Sequence, residues 1–410
     1  MRQAILVLSL IIVAAKLGGE VLGRLGQPPV LGELLMGVLL GNLSLFGITA
    51  LEPLRDSSML RVLAEIGAIL LLFEVGVESD LFQLLAVGWS SLVVATLGVI
   101  VPMVLGYLVS SYLLPDASWL THLFVGGTLT ATSVGITARV LKDLGKASTK
   151  EAQIILGAAV ADDVIGLVVL AVVSGLVTAA TASSGAGGGV SPGAVLLIVL
   201  KASVFLVLAV IIGRFWSQRI FVHAAKLRVP GVLLGLCLCF CFIVSAISGY
   251  VGLAPIVGAF AAGIVLEEVH YHPFRERGER KVEELLFPIT TLIVPVFFVM
   301  MGFRVDLKSF ASLAVLGFAG LITLVAVVGK QICGIGVLER GLDRLAIGVG
   351  MIPRGEVGLI FAGMGATLTL AGKPILSPTT FSALVLMIML TTFITPPLLK
   401  MVFERKSSRS

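Results

Sequence analysis

The stretch Gly157-Ala-Ala-Val-Ala-Asp162-Asp163-Val-Ile-Gly-Leu-Val-Val-Leu170 sets two adjacent carboxylates inside an apolar run long enough to cross a bilayer. An aspartate at the centre of an inserted helix costs about 2.5–3.5 kcal/mol on insertion scales. Two of them side by side need a compensating interaction, and a bound cation or proton supplies one. Desolvation favours the neutral form of a carboxylate, so such a group can carry a proton near neutral pH. A cation arriving from one side favours the ionised form and displaces that proton. Asp162 and Asp163 are therefore expected to bind a cation or a proton.

The rest of the chain fits that setting. Mean hydropathy is +1.10, and charged residues make up 13% of the 410, against roughly 25% in soluble domains. Apolar runs of membrane-spanning length recur from end to end, and period-2 alternation is scarce. The expected fold class is an all-α polytopic membrane protein rather than an outer-membrane barrel. Thirteen hydrophobic segments are expected, from 3–22 to 378–403, including 118–144, 150–180, 309–338 and 341–370. The N-terminal run continues past Lys16 to Leu22 with no convincing cleavage site, so it reads as a first membrane helix rather than a signal peptide. Ala182 to Gly193 reads as a flexible loop. A net charge of +5 does not point to nucleic acid. The Cys237-x-Cys239-x-Cys241 spacing spreads around a helix and suits packing better than metal binding.

Lys and Arg cluster in the loops after segments five, seven and nine and in the tail, all on one side of a thirteen-span chain. The positive-inside rule puts the C-terminus in the cytoplasm and the N-terminus outside. Segment five is interrupted at Thr128-Leu-Thr-Ala-Thr-Ser133-Val-Gly135, and segment twelve at Gly348-Val-Gly-Met-Ile-Pro353-Arg-Gly355-Glu356. They lie seven segments apart, an odd number, which predicts inverted repeats with two broken crossing helices. Broken backbone at membrane depth is tolerated only around a polar cavity.

Several further side chains are candidates. Lys330 lies in the middle of segment eleven, too deep to snorkel, and needs a carboxylate partner. An aspartate of the pair is the first choice, with Glu356 or Glu74 as alternatives. Thr132 and Ser133, at the first break, offer hard oxygens to an alkali cation. Arg354 and Glu356, at the second, suit compensation of half-helix charge. Glu33 sits near a helix start, where negative charge complements the dipole. Glu65 and Glu74 suit a vestibule. Glu74, His270 and His272 are candidate pH sensors, although a solvated loop is the commoner explanation for the histidines. Gly37-x-x-x-Gly41 permits close helix contact. An intramembrane aspartyl protease needs its aspartates on separate helices, so the chain is not expected to be an enzyme. No cofactor is expected beyond transported Na+ and H+.

With Gln27-Pro-Pro-Val-Leu-Gly-Glu33 and Leu253-Ala-Pro-Ile-Val-Gly-Ala-Phe-Ala-Ala-Gly263, these motifs resemble sodium/proton antiporters of the cation:proton antiporter-2 family, closest to its NapA-like group. The resemblance covers nearly the whole chain. It implies the NhaA/NapA-like fold and a homodimer in a bacterial inner membrane, with lipid as its other partner. It also implies a single transport unit over 1–403, with a mobile core of 84–180 and 309–403. The dimerisation scaffold would be 1–78 with 194–302, and 404–410 a cytoplasmic tail. By the resemblance Asp163, with Asp162, is the metal ligand for Na+, Asp163 being the primary one; Asp162 pairs with Lys330, and Thr132/Ser133 contribute to the ion site. The Asp-Asp pair with Lys330 implies electrogenic exchange of Na+ or Li+ for H+ by an elevator movement. No nucleotide-binding domain follows residue 403, which disfavours a potassium-efflux system. K+/H+ antiport and sodium-coupled symport of an organic solute are the alternative functions.

Overall fold

Runs rich in Leu, Val, Ile and Ala, punctuated by Gly, Pro and short polar turns, fold into helices separated at those turns. The computed structural model describes residues 2–49, 51, 57–78, 88–183, 192–227, 229, 231–266, 274, 280–370 and 372–407. The helices, in chain order, are α1 Arg2–Arg24, α2 Pro29–Gly41, α3 Ser58–Glu78, α4 Trp89–Leu113, α5 Trp119–Thr128, α6 Val134–Asp143, α7 Lys150–Ser183 and α8 Pro192–Ala224. They continue with α9 Val232–Val251, α10 Pro255–Val265, α11 Val282–Phe303, α12 Leu313–Cys333, α13 Arg344–Gly350, α14 Glu356–Thr367 and α15 Pro378–Ser407. Among the described residues, seven helices are long and apolar enough to cross a membrane, and shorter apolar helices such as α2, α10 and α14 lie between them. The chain is a helical polytopic membrane protein.

Three boundaries differ from expectation. The helix of segment six runs through Ser183 and the next begins at Pro192, so most of the expected loop lies outside the described residues. Segment twelve stops being helical at Thr367. Leu368 is extended, and a short antiparallel ladder follows, Thr369 opposite Pro374 and Leu370 opposite Lys373, turning at Gly372 with φ +78. Lys330 is not mid-helix. α12 ends at Cys333, which puts Lys330 in its last turn, where a cation also complements the helix dipole.

Packing divides the helices. α3 packs on α10 and α11, and α2 on α1 and α11; α9 and α8 close on α10. Separately, α4 packs on α5, α7 and α12, while α15 packs on α12, α13 and α14. The Gly37-x-x-x-Gly41 pattern has a structural consequence. A Cβ on Gly37 would stand 2.2 Å from the Val299 carbonyl oxygen, and one on Gly41 2.4 Å from that of Phe303. α2 and α11 therefore touch backbone to backbone along this stripe, as small residues allow. Asn42, just past α2, ties the ends together by donating to the Val305 carbonyl at 2.8 Å.

Within α11, Pro295 has no N–H to donate, so the Thr291 carbonyl loses its helical partner. Lys16 of α1 takes that place, with Nζ 2.8 Å from the Thr291 oxygen.

Candidate ion-binding site

Two helix breaks cross at the centre of the second helix group, and hydrogen bonds stitch them together. The Ser133 N–H donates to the Pro353 carbonyl at 2.8 Å. The Thr137 hydroxyl donates to the Gly350 carbonyl at 2.6 Å, and the Thr132 hydroxyl to that of Met351 at 3.3 Å. The Ser133 hydroxyl donates to Glu356 Oε2 at 3.3 Å. Each break thus supplies donors or acceptors that the other lacks, so buried backbone groups stay paired without a continuous helix.

Arg354 fills the second break and is wholly buried. Its Nη1 donates to Ile352 O at 2.5 Å and Met351 O at 3.3 Å, and its Nη2 to Ala326 O at 3.1 Å. Met351 and Ile352 follow the C-terminal end of α13, where carbonyls are left without helical donors, so a guanidinium fits there. Glu356 stands in the first turn of α14, where a carboxylate complements the positive dipole end. The Thr392 hydroxyl of α15 donates to the Arg354 carbonyl, fixing the loop from a third side.

α7 passes beside this crossing. It is one continuous helix rich in Ala, Leu, Val and Ile, with no proline. The Asp162 side chain is completely buried and meets the equally buried Lys330 of α12, with Nζ 3.1 Å from each carboxylate oxygen. Of the candidate partners for Lys330, Asp162 is the one it contacts. Gly98 of α4 makes room for the pair: a Cβ there would lie 3.2 Å from Lys330 Nζ and 3.7 Å from Asp162 Oδ1. Four residues on, Pro102 cannot donate to the Gly98 carbonyl, which is left without its helical partner.

Asp163 points elsewhere, as adjacent residues on a helix must. It is partly exposed, yet its Oδ1 is buried and accepts no hydrogen bond from any described residue. The charges acting on it are Asp162, Glu356 and Lys330, and Arg354 in turn lies in the field of Asp162. The cluster therefore holds three acids and two bases. Fully ionised, it carries one excess negative charge, which one monovalent cation or one proton neutralises.

Asp162, Asp163, Lys330, Ser133, Arg354 and Glu356 thus converge on one crossing, and Thr132 faces it through Met351. Glu74 does not join them. It lies in a separate cavity of about 260 Å³, shared with Lys16, Glu33 and Thr290, that reaches the crossing at Glu356. Glu33 does not cap α2: it falls beyond the first turn, and that helix has no side-chain cap. Glu65 lines a different cavity of about 310 Å³, with Arg61, Ser174, Phe297 and Arg304, between α3 and α11 on one side and α7 and α14 on the other. His270 and His272 lie outside the described residues. Gly98, Thr137 and Thr392 were not singled out from sequence. A glycine four residues before a proline in an apolar run was the only trace of the first, and the two threonines carry no local signal.

Comparison with known proteins places the chain in a family. Residues 7–405 match the family model described as sodium/hydrogen exchanger, transmembrane. The high-affinity Na+/H+ antiporter NhaS3 of Synechocystis sp. is 39% identical, over 97% of this chain and 89% of its own length. GerN of Bacillus cereus, named as a Na+/H+-K+ antiporter, is 36% identical over 97% of this chain and 96% of its own. The solved structure of the sodium proton antiporter MjNhaP1 from Methanocaldococcus jannaschii superposes with a TM-score of 0.68, covering 97% of this chain and 96% of that one. At 18% identity that likeness establishes a shared fold. By the match along nearly its whole length, the chain belongs to the sodium/hydrogen exchanger family of membrane ion transporters.

Proposed function

We propose that this protein exchanges Na+ or Li+ for H+ across a bacterial inner membrane, as a NapA-like homodimer. The observation that carries the reading is the unbonded Asp163 oxygen beside a buried Asp162–Lys330 pair, at the crossing of two broken helices. The cluster is one positive charge short of neutrality, so a cation and a proton compete for the same deficit. Na+ prefers hard oxygens, and Asp163 with the lone pairs of Ser133 and Thr132 supplies them. When Na+ leaves, a proton on Asp163 restores neutrality. When the Lys330–Asp162 contact opens in the proton-loaded state, Asp162 takes up a second proton, and it releases that proton when Na+ binds and the ionised pair re-forms, so two protons move against one Na+ and the exchange is electrogenic. Catalysis in the chemical sense is absent from this cycle, and Na+ and H+ are cargo.

Among the described residues, taking α5–α6 and α13–α14 as one interrupted unit each leaves thirteen helical units; in this reading each is one crossing, with the N-terminus outside and the C-terminus inside. The division of packing supports a scaffold of 1–78 with 194–302, and a core of 84–180 and 309–403 that moves against it as an elevator. The two cavities lie along that boundary.

A K+/H+ reading is favoured by one observation, the likeness to a relative named for both Na+ and K+. Purified protein in proteoliposomes separates them. With a ΔpH imposed, Na+ and Li+ are expected to collapse it and K+ to do so weakly. Collapse by K+ alone would replace the Na+ assignment, and no collapse by any of the three would remove antiport.

A further inference from the structure

The cavity that meets the crossing at Glu356 holds a second set of charges that the exchange cycle does not use. Glu33, on the α2 wall, is 8% exposed; no hydrogen bond or close ion pair joins it to a described residue, although the Lys16 charge acts on it. A buried carboxylate without a donor is costly to keep ionised. The nearest cation on that wall, Lys16, leaves it unpaired: its Nζ sits on the Thr291 carbonyl that Pro295 has freed. On the α3 wall, Glu74 accepts from the Thr290 hydroxyl at 3.3 Å and from no other described residue. The cavity thus offers two carboxylates and a hydroxyl, hard oxygens of the kind alkali cations take, while a tethered ammonium stands by on a neighbouring acceptor. The opposite wall is Glu356, so a cation held here is next in line for the Asp163 cluster.

We propose that Glu33, with Glu74 and Thr290, forms an auxiliary site for a monovalent alkali cation on the scaffold side of this cavity, and that Lys16 is its built-in competitor. The ammonium, which this structure seats on the Thr291 carbonyl, competes by swinging to Glu33, and a bound cation holds it on that carbonyl. The site raises the local cation concentration before the transport step and takes no part in the exchange itself. The proposal rests on the antiport reading for its role, but not for its existence.

Two measurements test it. In proteoliposomes, Glu33→Gln is expected to raise the half-saturating Na+ concentration on the cavity side about tenfold, with the maximal rate nearly unchanged, the pattern of lost uniform binding. Lys16→Met is expected to lower it several-fold, and Glu33→Asp to restore most of the wild-type value. Separately, radioactive Na+ binding to solubilised Asp163→Asn protein is expected to persist weakly and to vanish in Asp163→Asn/Glu33→Gln. Unchanged half-saturation in both Glu33→Gln and Lys16→Met would overturn the proposal while leaving antiport standing. A lower maximal rate at constant half-saturation would also overturn it, assigning Glu33 a structural role. If Glu33→Gln fails to fold, Lys16→Met decides by the same criterion. If the wild type shows no exchange, antiport fails, and the binding comparison still decides the site: equal binding with and without Glu33 would overturn it.

Discussion

Lys330 Nζ stands 3.1 Å from both carboxylate oxygens of Asp162, and neither side chain is exposed at all. A buried pair of this kind adds little net stability, yet losing one partner strands the other charge. Lys330→Met is therefore expected to destabilise the protein by roughly 3–5 kcal/mol, and Lys330→Met with Asp162→Leu by clearly less. Thermal unfolding in detergent measures both. Equal losses in the single and double variants would mean that the pair is not a unit.

Gly98 sets the space above that pair. An alanine methyl would press on the Lys330 ammonium, the far end of a flexible side chain, at 3.2 Å. The expected result is a small stability change, on the order of 1 kcal/mol, with a marked loss of exchange because the pair is displaced. Melting and proteoliposome exchange, measured on the same Gly98→Ala sample, check it. Full exchange would show that the pair tolerates displacement.

Arg354 reaches three carbonyls with two nitrogens, from a position with no exposed surface. A lysine cannot reproduce that fork. Arg354→Lys is expected to keep the charge but lose about 2 kcal/mol or more, since buried carbonyls lose their donors. If Arg354→Lys melts like the wild type, the charge rather than the fork holds the break.

Much of this was legible in the sequence because membranes make exceptions conspicuous. Asp162, Asp163 and Lys330 stood out as charges in apolar runs, and both breaks stood out as Gly, Pro, Ser and Thr clusters where a helix was expected. The hydrophobic pattern could not say where along α12 Lys330 would fall, because the apolar run continues through a 3-10 turn at Gly334–Gly336. Nor could it show that Thr137 and Thr392 bridge to backbone carbonyls more than thirty residues away, since such bonds depend on where the crossing sets them. The role of Gly98 emerges only once α4, α7 and α12 are packed together.

The α2–α11 seam yields a prediction independent of ions. A Cβ on Gly302 would lie 2.1 Å from the Leu34 carbonyl oxygen, so backbone must move. Gly235, inside α9, has nothing within 4 Å. Gly302→Ala is expected to cost several kcal/mol or prevent folding, whereas Gly235→Ala is neutral or stabilising by about 0.5–1 kcal/mol. Fluorescence-detected size exclusion after heating ranks the two. Similar behaviour would mean that the helices can separate at this seam.

In the proposed cycle Asp163 holds the exchanged ion. The most direct measurement is Na+-driven collapse of ΔpH in proteoliposomes containing folded Asp163→Asn protein, beside the wild type. The amide keeps the shape and removes the exchangeable charge, so exchange is expected to fall to the level of empty vesicles. Retained exchange at the wild-type rate would contradict the assignment and move the ion site away from the crossing.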